Sequence, residues 1–124
     1  EDEGLTWKLF NWSGIDASGS PAMLQRLQSG KLVLVWNRMY PEGKTEYPLS
    51  GGDGHLSEVP ASFHRDELSI MFSGNDGKSW SQPVVIARKG MAYPYVFEAN
   101  PGELWITTMQ GGLRIKLNEK DFLK

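Results

Sequence analysis

One turn pattern occurs twice in the chain and constrains its fold more than any other sequence feature. The complete copy runs from Ser73 to Trp80 with the sequence Ser-Gly-Asn-Asp-Gly-Lys-Ser-Trp, and a shorter copy runs from Asp2 to Trp7. An acidic or amide side chain can cap the turn amides, glycine supplies a positive φ, and a hydroxyl closes a local hydrogen bond. We expect the tryptophan to pack beneath the following structural unit. The repetition predicts repeated β units, with the octad as a folding device rather than a site.

The remaining sequence also favours β structure. No segment keeps apolar residues at helical spacing over three turns, and 14 glycines and 7 prolines are scattered through the chain. Leu68, Ile70 and Phe72 alternate with other residues as in a strand with two different faces. The run 32–36 is apolar on both sides, which predicts a strand buried between layers. We predict strands at about 7–12, 21–27, 31–37, 67–73, 83–88, 93–99, 103–109 and 113–117.

Composition excludes several classes of function. The 124 residues are 40% hydrophobic, as in a folded globular protein, and the formal net charge of -2 offers no positive field for nucleic acid. No apolar stretch approaches the roughly 18 to 20 residues of a membrane span. The chain has no cysteine, and its two histidines lack a ligand spacing, so we predict no disulfide, no metal site and no cofactor.

The octad resembles the Asp-box of the sialidase (neuraminidase) superfamily, Ser-x-Asp-x-Gly-x-Thr-Trp, with Asn75 in place of Asp and Ser79 in place of Thr. Sialidases also carry a Gly-Ser segment that opens a blade, an arginine some eight residues before a late Asp-box, and a tyrosine that opens the next blade. This chain has Gly19-Ser20, Arg65 and Tyr93 in that order. The resemblance therefore covers nearly the whole chain.

The sequence departs from the sialidase pattern after the tyrosine. Pro94 follows Tyr93 where many sialidases have serine, and Tyr95-Val96 replaces an Asp-Leu pair. The chain is thus closer to the bacterial sialidase-like BNR-repeat proteins. The family implies a secreted or periplasmic location.

The implied fold is all-β, a β-propeller of sialidase type, with about two four-stranded blades of a six-bladed whole in this C-terminal portion. We expect residues 1–12 to supply the last strand of a preceding blade. Residues 19–88 would form one full blade with a long loop at 38–64, and residues 91–124 three strands of the next. Arg65 and Tyr93 would then open strands at the same mouth of the propeller.

The implied function is that of an exo-glycosidase that hydrolyses terminal sialic acid or a related acidic sugar. In sialidases three arginines bind the sugar carboxylate, a tyrosine activated by a glutamate attacks the anomeric carbon, and an aspartate acts as acid. A neutral phenol suits this role because the substrate carboxylate does not repel it. By position, Arg65 would be the third arginine and Tyr93 the nucleophile. The remaining groups have no counterpart here, so we expect the chain alone to be inactive.

Other interpretations of the same residues stay open. Arg65 could be a surface cation beside Asp66 and Glu67, and Tyr93 could be a packed strand residue. The chain could instead be a non-catalytic BNR-repeat segment that binds glycan or protein partners, or a structural module. Loop 38–64 could be functional or disordered; it carries Glu42, Glu46, Asp53, His55, Glu58 and His64. We regard these histidines and Arg114 as solvated or structural.

The strand count also suggests an assembly. One spare strand at the beginning and a three-stranded sheet at the end would leave open edges, which natural proteins avoid. Either the missing N-terminal blades cover these edges, or copies associate head to tail, with a homotrimer completing a ring of six blades.

Overall fold

The computed structural model describes residues 3–7, 11–46, 49–52 and 60–123. Within these ranges the regular structure consists of β-strands and one 3-10 helix, Glu119–Phe122. No helix in the described part of the chain has the length and apolar character needed to cross a membrane. The strands are β1 (Met23–Arg26), β2 (Leu32–Trp36), β3 (Leu49–Ser50), β4 (Ala61–Ser62), β5 (Glu67–Ser73), β6 (Val84–Arg88), β7 (Ala92–Asn100), β8 (Glu103–Gln110) and β9 (Arg114–Asn118).

All strand pairs are antiparallel, and they form two main sheets. Strands β1, β2, β5 and β6 form a four-stranded sheet in that order, β7, β8 and β9 form a three-stranded sheet, and β3 pairs with β4. Seven predicted strands are confirmed to within about two residues at each end. In the remaining predicted strand, at 7–12, residues 8–10 lie outside the described residues, and residues 7, 11 and 12 are not part of a strand. The fold is therefore all-β, as expected for about two blades of a propeller.

The long loop between β2 and β5 contains structure that the sequence did not predict. Leu49 pairs with Ser62 and Ser50 with Ala61, which makes the short β3–β4 hairpin. Asp53, His55 and Glu58, which we singled out in this loop, lie outside the described residues. Two-residue strands are too short to leave an alternation of apolar and polar residues that sequence analysis could detect.

A hydrophobic core lies between the two main sheets because the alternation in each strand turns one set of apolar residues toward the other sheet. Its buried members are Leu27, Val33, Val35, Leu68, Ile70, Phe72, Val96, Leu104 and Ile106. A second, smaller cluster of Leu34, Trp36 and Met71 lies on the opposite face of the four-stranded sheet. Strand β2 is thus buried on both faces, as its apolar sequence predicted.

The complete octad forms the turn that its residue types predicted. Ser73 Oγ accepts a hydrogen bond from the Gly77 N–H at 2.9 Å. Asn75 Oδ1 accepts one from the Ser79 N–H at 2.9 Å, and its Nδ2 donates to Ser79 Oγ at 2.7 Å. Asn75 and Ser79 therefore supply the side-chain acceptor and the hydroxyl that close the turn.

The shorter octad copy adopts the same backbone conformation as the complete one. Glu3 and Gly4 have φ of 57° and 87°, and the equivalent Asp76 and Gly77 have φ of 58° and 81°. In both copies the tryptophan ring lies over the glycine, 3.9 Å from a Cβ built at Gly4 and 3.7 Å from one built at Gly77. The structure thus confirms the internal repeat.

The prediction that the octad tryptophan packs beneath the following structural unit is wrong for Trp80. Trp80 packs against the Leu34, Trp36 and Met71 cluster on its own sheet, whereas the three-stranded sheet covers the other face. The chain from Trp80 to β6 is short, and β6 pairs beside β5. The side chain that precedes β6 is therefore held over its own sheet.

Candidate functional site

The candidate site lies along one edge of the two main sheets, where β2 and β6 end and β5 and β7 begin. We call residues 36–42, 62–67 and 88–93 the charged edge. Two hydrogen bonds join the β6–β7 turn to the residues before β5: Lys89 N–H donates to the Asp66 carbonyl at 2.9 Å and Gly90 N–H to the Arg65 carbonyl at 2.8 Å. The chain segments that carry Arg65 and Tyr93 therefore meet at this edge.

Arg65 is partly buried, and its guanidinium is held by neutral acceptors. Its Nη1 donates to Ser18 Oγ at 3.1 Å and to the His64 carbonyl at 3.0 Å. Segment 18–20 is close enough for this contact because Gly19 N–H donates to the Ser62 carbonyl at 2.6 Å. A Cβ at Gly19 would lie 3.3 Å from that carbonyl oxygen, so glycine permits the close approach.

Two other arginines of the charged edge are neutralised by carboxylates. Arg38 makes a bidentate pair with Asp16, with Nε–Oδ1 and Nη2–Oδ2 distances of 3.2 Å. Arg88 pairs with Glu67 and lies 3.6 Å from a Glu42 carboxylate oxygen. Because the charges of Arg38 and Arg88 are compensated internally, they are poorly suited to bind an anionic ligand.

Arg65 differs from Arg38 and Arg88 in its partners. Among the described residues no carboxylate forms a salt bridge with it. A guanidinium carries five N–H donors in a fixed fork, and within the described ranges only Nη1 has acceptors. The remaining donors keep the geometry that a carboxylate ligand requires.

Two buried polar residues connect the segments of the charged edge through hydrogen bonds. Glu67 is 3% exposed, and its Oε2 accepts a hydrogen bond from the Glu42 N–H at 2.7 Å, which ties the long loop to β5. The Asn37 amide donates to the carbonyls of Glu67 and Met91 at 2.8 and 2.9 Å. Asn37 therefore connects the ends of β2, β5 and β7.

Tyr93 lies at the start of β7 in an unusual backbone conformation. Its φ is 58°, a rare value for a bulky residue, and its side chain is 37% exposed. No hydrogen bond joins the Tyr93 phenol to the Arg65 guanidinium. The structure therefore brings the two chain segments to one edge, and no hydrogen bond connects their functional groups.

Of the other residues considered in the sequence, His64 lies inside the protein and Arg114 on its surface. His64 is fully buried, and its Nδ1 accepts a hydrogen bond from Asp66 N–H at 3.3 Å and lies 3.4 Å from the Asp66 carboxylate. Arg114 is the first residue of β9. In the described ranges no three His, Asp or Glu side chains converge as metal ligands would.

Sequence analysis missed the roles of Asn37, Glu67 and Arg88. Their signal was weak: each is a polar residue at the boundary of a predicted strand, where polar residues are common. Their importance comes from contacts between residues 21 to 54 positions apart, and strand alternation does not report such contacts.

The sheets define an all-β protein with the antiparallel pairing of propeller blades. A family model, that of the BNR repeat-like domain, matches residues 1–106, and the chain belongs to this family. No curated protein and no solved structure matches the chain. The match is consistent with repeats of the sialidase type.

Proposed function

We propose that this chain is a segment of a sialidase-like exo-glycosidase whose charged edge binds the carboxylate of a terminal sialic acid or related acidic sugar. The observation that carries the proposal is the state of Arg65. It is partly buried, oriented by two neutral acceptors and, among the described residues, not paired with a carboxylate, whereas Arg38 and Arg88 of the same edge are. A cation prepared in this way favours an anionic ligand.

Ser18 and the His64 carbonyl supply the positioning. Each contacts Nη1, so the guanidinium plane is held before a ligand arrives and little side-chain freedom is lost on binding. The Nε and Nη2 groups remain for a bidentate pair with the sugar carboxylate. Residues 38–42 of the long loop, tied to Glu67 through the Glu42 N–H, lie at the same edge and would contact the rest of the glycan.

In this proposal Tyr93 is the nucleophile. Its partial exposure and its strained backbone, at the start of the strand adjoining the Arg65 segment, support the assignment. A tyrosine nucleophile suits an acidic sugar because, unlike a carboxylate nucleophile, a phenol does not repel the sugar carboxylate. Attack on the anomeric carbon would form a tyrosyl–sugar bond as the glycosidic C–O bond breaks, with the phenol proton passing to a base and the aglycone oxygen taking a proton from an acid, both supplied by other blades. Water would then cleave the tyrosyl–sugar bond and release the sugar with retained configuration, which returns the proton to the phenol.

A second candidate function is glycan binding without hydrolysis. It is favoured by the surroundings of Tyr93, because no carboxylate among the described residues contacts its hydroxyl to act as a base. In this case Arg65 would keep its role in binding, and Tyr93 would serve as a contact surface. The two functions therefore make the same prediction for binding and opposite predictions for turnover.

Binding is tested by NMR titration of the chain with N-acetylneuraminic acid and with its methyl ester, which lacks the negative charge. We expect the acid to shift the Arg65 Nε–H resonance and the ester to leave it unchanged. Arg65→Gln should weaken binding at least about tenfold, because a hydrogen-bonded ion pair is lost. Lys78→Gln, at the opposite edge, is the matched control. Equal binding of acid and ester would refute the carboxylate site.

Turnover is tested with a fluorogenic sialoside. We expect the chain alone to bind this substrate without hydrolysing it. If release of the fluorophore is measured, either with the chain alone or after adding the other propeller blades, Tyr93→Phe should abolish it. Activity that survives this substitution would exclude Tyr93 as the nucleophile and leave the Arg65 site untouched.

A further inference from the structure

The Ser18 hydroxyl lies beside the Arg65 guanidinium and acts there as a hydrogen-bond acceptor. Its Oγ accepts hydrogen bonds from Arg65 Nη1 at 3.1 Å and from the Ser20 N–H at 3.3 Å. A serine hydroxyl has two acceptor lone pairs and one O–H donor. Both lone pairs are therefore occupied, and among the described residues no acceptor receives the O–H proton.

Other serines of the described structure both accept and donate. The Ser62 hydroxyl accepts from a backbone N–H and donates to the Met39 carbonyl at 2.8 Å. The Ser73 hydroxyl accepts from backbone N–H groups and donates to Asn75 Oδ1 at 3.0 Å. Because a donor without an acceptor is costly in a nearly buried residue, the Ser18 O–H favours an acceptor that a ligand supplies.

The backbone fixes the position of this hydroxyl. Ser18 N–H donates to the Asn37 carbonyl at 2.9 Å, and Gly19 N–H donates to the Ser62 carbonyl at 2.6 Å. The segment is thus attached to the end of β2 and to β4, and Ser18 is only 8% exposed. A ligand that accepts from the Ser18 O–H therefore loses little affinity to the ordering of side chains.

The position of Ser18 on the guanidinium indicates which ligand oxygen it would meet. Ser18 contacts Nη1, whereas the sugar carboxylate of the proposed function pairs with Nε and Nη2. The Ser18 O–H would therefore meet a ligand oxygen outside the carboxylate. In an acidic sugar the carbon that bears the carboxyl group also bears the ring oxygen, which is an acceptor next to the carboxylate.

We propose that Ser18 is a specificity-determining residue of the Arg65 site and donates a hydrogen bond to the ring oxygen of the bound acidic sugar. This inference rests on the proposed carboxylate site and adds a second point of recognition to it. The Arg65 charge attracts any carboxylate, but an acid with a methylene in place of that oxygen leaves the Ser18 O–H without an acceptor. The site thus selects acids with an ether oxygen on the carboxyl-bearing carbon.

The test uses the full chain and two probes of the same ring size, tetrahydropyran-2-carboxylate and cyclohexanecarboxylate. The second has a methylene where the first has its ring oxygen. Binding of each probe is followed by NMR titration of the Arg65 Nε–H resonance. We expect both to bind through the carboxylate, and tetrahydropyran-2-carboxylate to bind about two- to tenfold more tightly, because it gains one hydrogen bond.

Substitutions at Ser18 separate recognition from orientation of Arg65. Ser18→Ala should lower both affinities and make them equal, whereas a purely orienting role would lower both and keep their ratio. Ser18→Thr retains the hydroxyl and should retain the preference. Ser20→Ala is the matched control, because Ser20 is equally buried and its Oγ has no partner in the described ranges. An unchanged urea midpoint will show that each variant is folded.

The possible failures are distinguishable. Equal binding of the two probes by the unaltered chain would overturn the role of Ser18 and leave the carboxylate site intact. A preference that survives Ser18→Ala, or that is lost in Ser20→Ala, would exclude Ser18 as the donor. If neither probe shifts the Arg65 resonance, the carboxylate site is refuted, and the role of Ser18 with it.

Discussion

Replacing Asn37 by alanine should destabilise the protein and loosen the charged edge. The Asn37 side chain is fully buried and donates to the Glu67 carbonyl in β5 and to the Met91 carbonyl just before β7. Alanine removes both donors, and water cannot easily replace them. The strands that carry the Arg65 and Tyr93 segments then lose a shared hydrogen-bonding partner.

The magnitude follows from the two carbonyls. Leaving a buried acceptor unsatisfied costs about 1–3 kcal/mol. Part of this cost is recovered, because Asn37 Oδ1 is itself buried without a hydrogen bond and disappears with the substitution. We expect Asn37→Ala to lower the free energy of unfolding by about 2–4 kcal/mol, a large share of the roughly 5–15 kcal/mol typical of a domain.

The assay is urea denaturation, with Ser69→Ala as the matched control. Ser69 is as buried as Asn37, but its Oγ has no hydrogen-bond partner in the described part of the chain, so alanine should change the stability by less than about 1 kcal/mol. Hydrogen exchange of the Gly90 N–H, which donates to Arg65, should accelerate only in the Asn37 variant. Equal destabilisation by the two substitutions would refute the claim that Asn37 acts through its hydrogen bonds.

Three further outcomes are expected. Gly77→Ala should lower the free energy of unfolding, measured by urea denaturation, by about 1–2 kcal/mol, because Gly77 has φ of 81°. Gly74→Ala should leave this free energy unchanged, because a Cβ at Gly74 meets open space. Ile106→Ala should cost about 2–5 kcal/mol by leaving a cavity between the sheets, and a loss below 1 kcal/mol would show that the sheets separate there. The hydrogen bond from Trp105 and, to a smaller extent, that from Asn100 lower the pKa of Glu103 below the ordinary 4.5. The ionised carboxylate therefore stabilises the fold at neutral pH, and this contribution is lost as the pH falls through the lowered pKa. Trp105→Phe should raise the NMR titration midpoint of this carboxyl, and an unchanged midpoint would contradict the cause.

The strands and turns of this protein could be predicted because their causes are local. The alternation of Leu68, Ile70 and Phe72 defines β5 with the bounds that the structure shows. The octad dictates its own turn, since the partners of Asn75 and Ser73 lie within four residues of them. The match to the BNR repeat-like domain agrees with this repeat.

The candidate site was only partly predictable, because residue types do not reveal which charges are compensated. The sequence identified Arg65 and Tyr93 as candidates, and their assignment to a hydrolase site stays a prediction. Residue type alone does not show which of Arg38, Arg65 and Arg88 is paired with a carboxylate. Their difference depends on salt bridges across many residues of chain, such as that between Arg88 and Glu42.

The amino-acid sequence by itself determined an all-β chain with repeated turns, since φ preferences and side-chain alternation act over a few residues. Only the tertiary structure decided that Trp80 covers its own sheet, that Asn37 links three strands, and that the acceptors of Arg65 among the described residues are neutral. Packing and charge compensation depend on which distant segments meet, and that is settled only when the sheets have assembled.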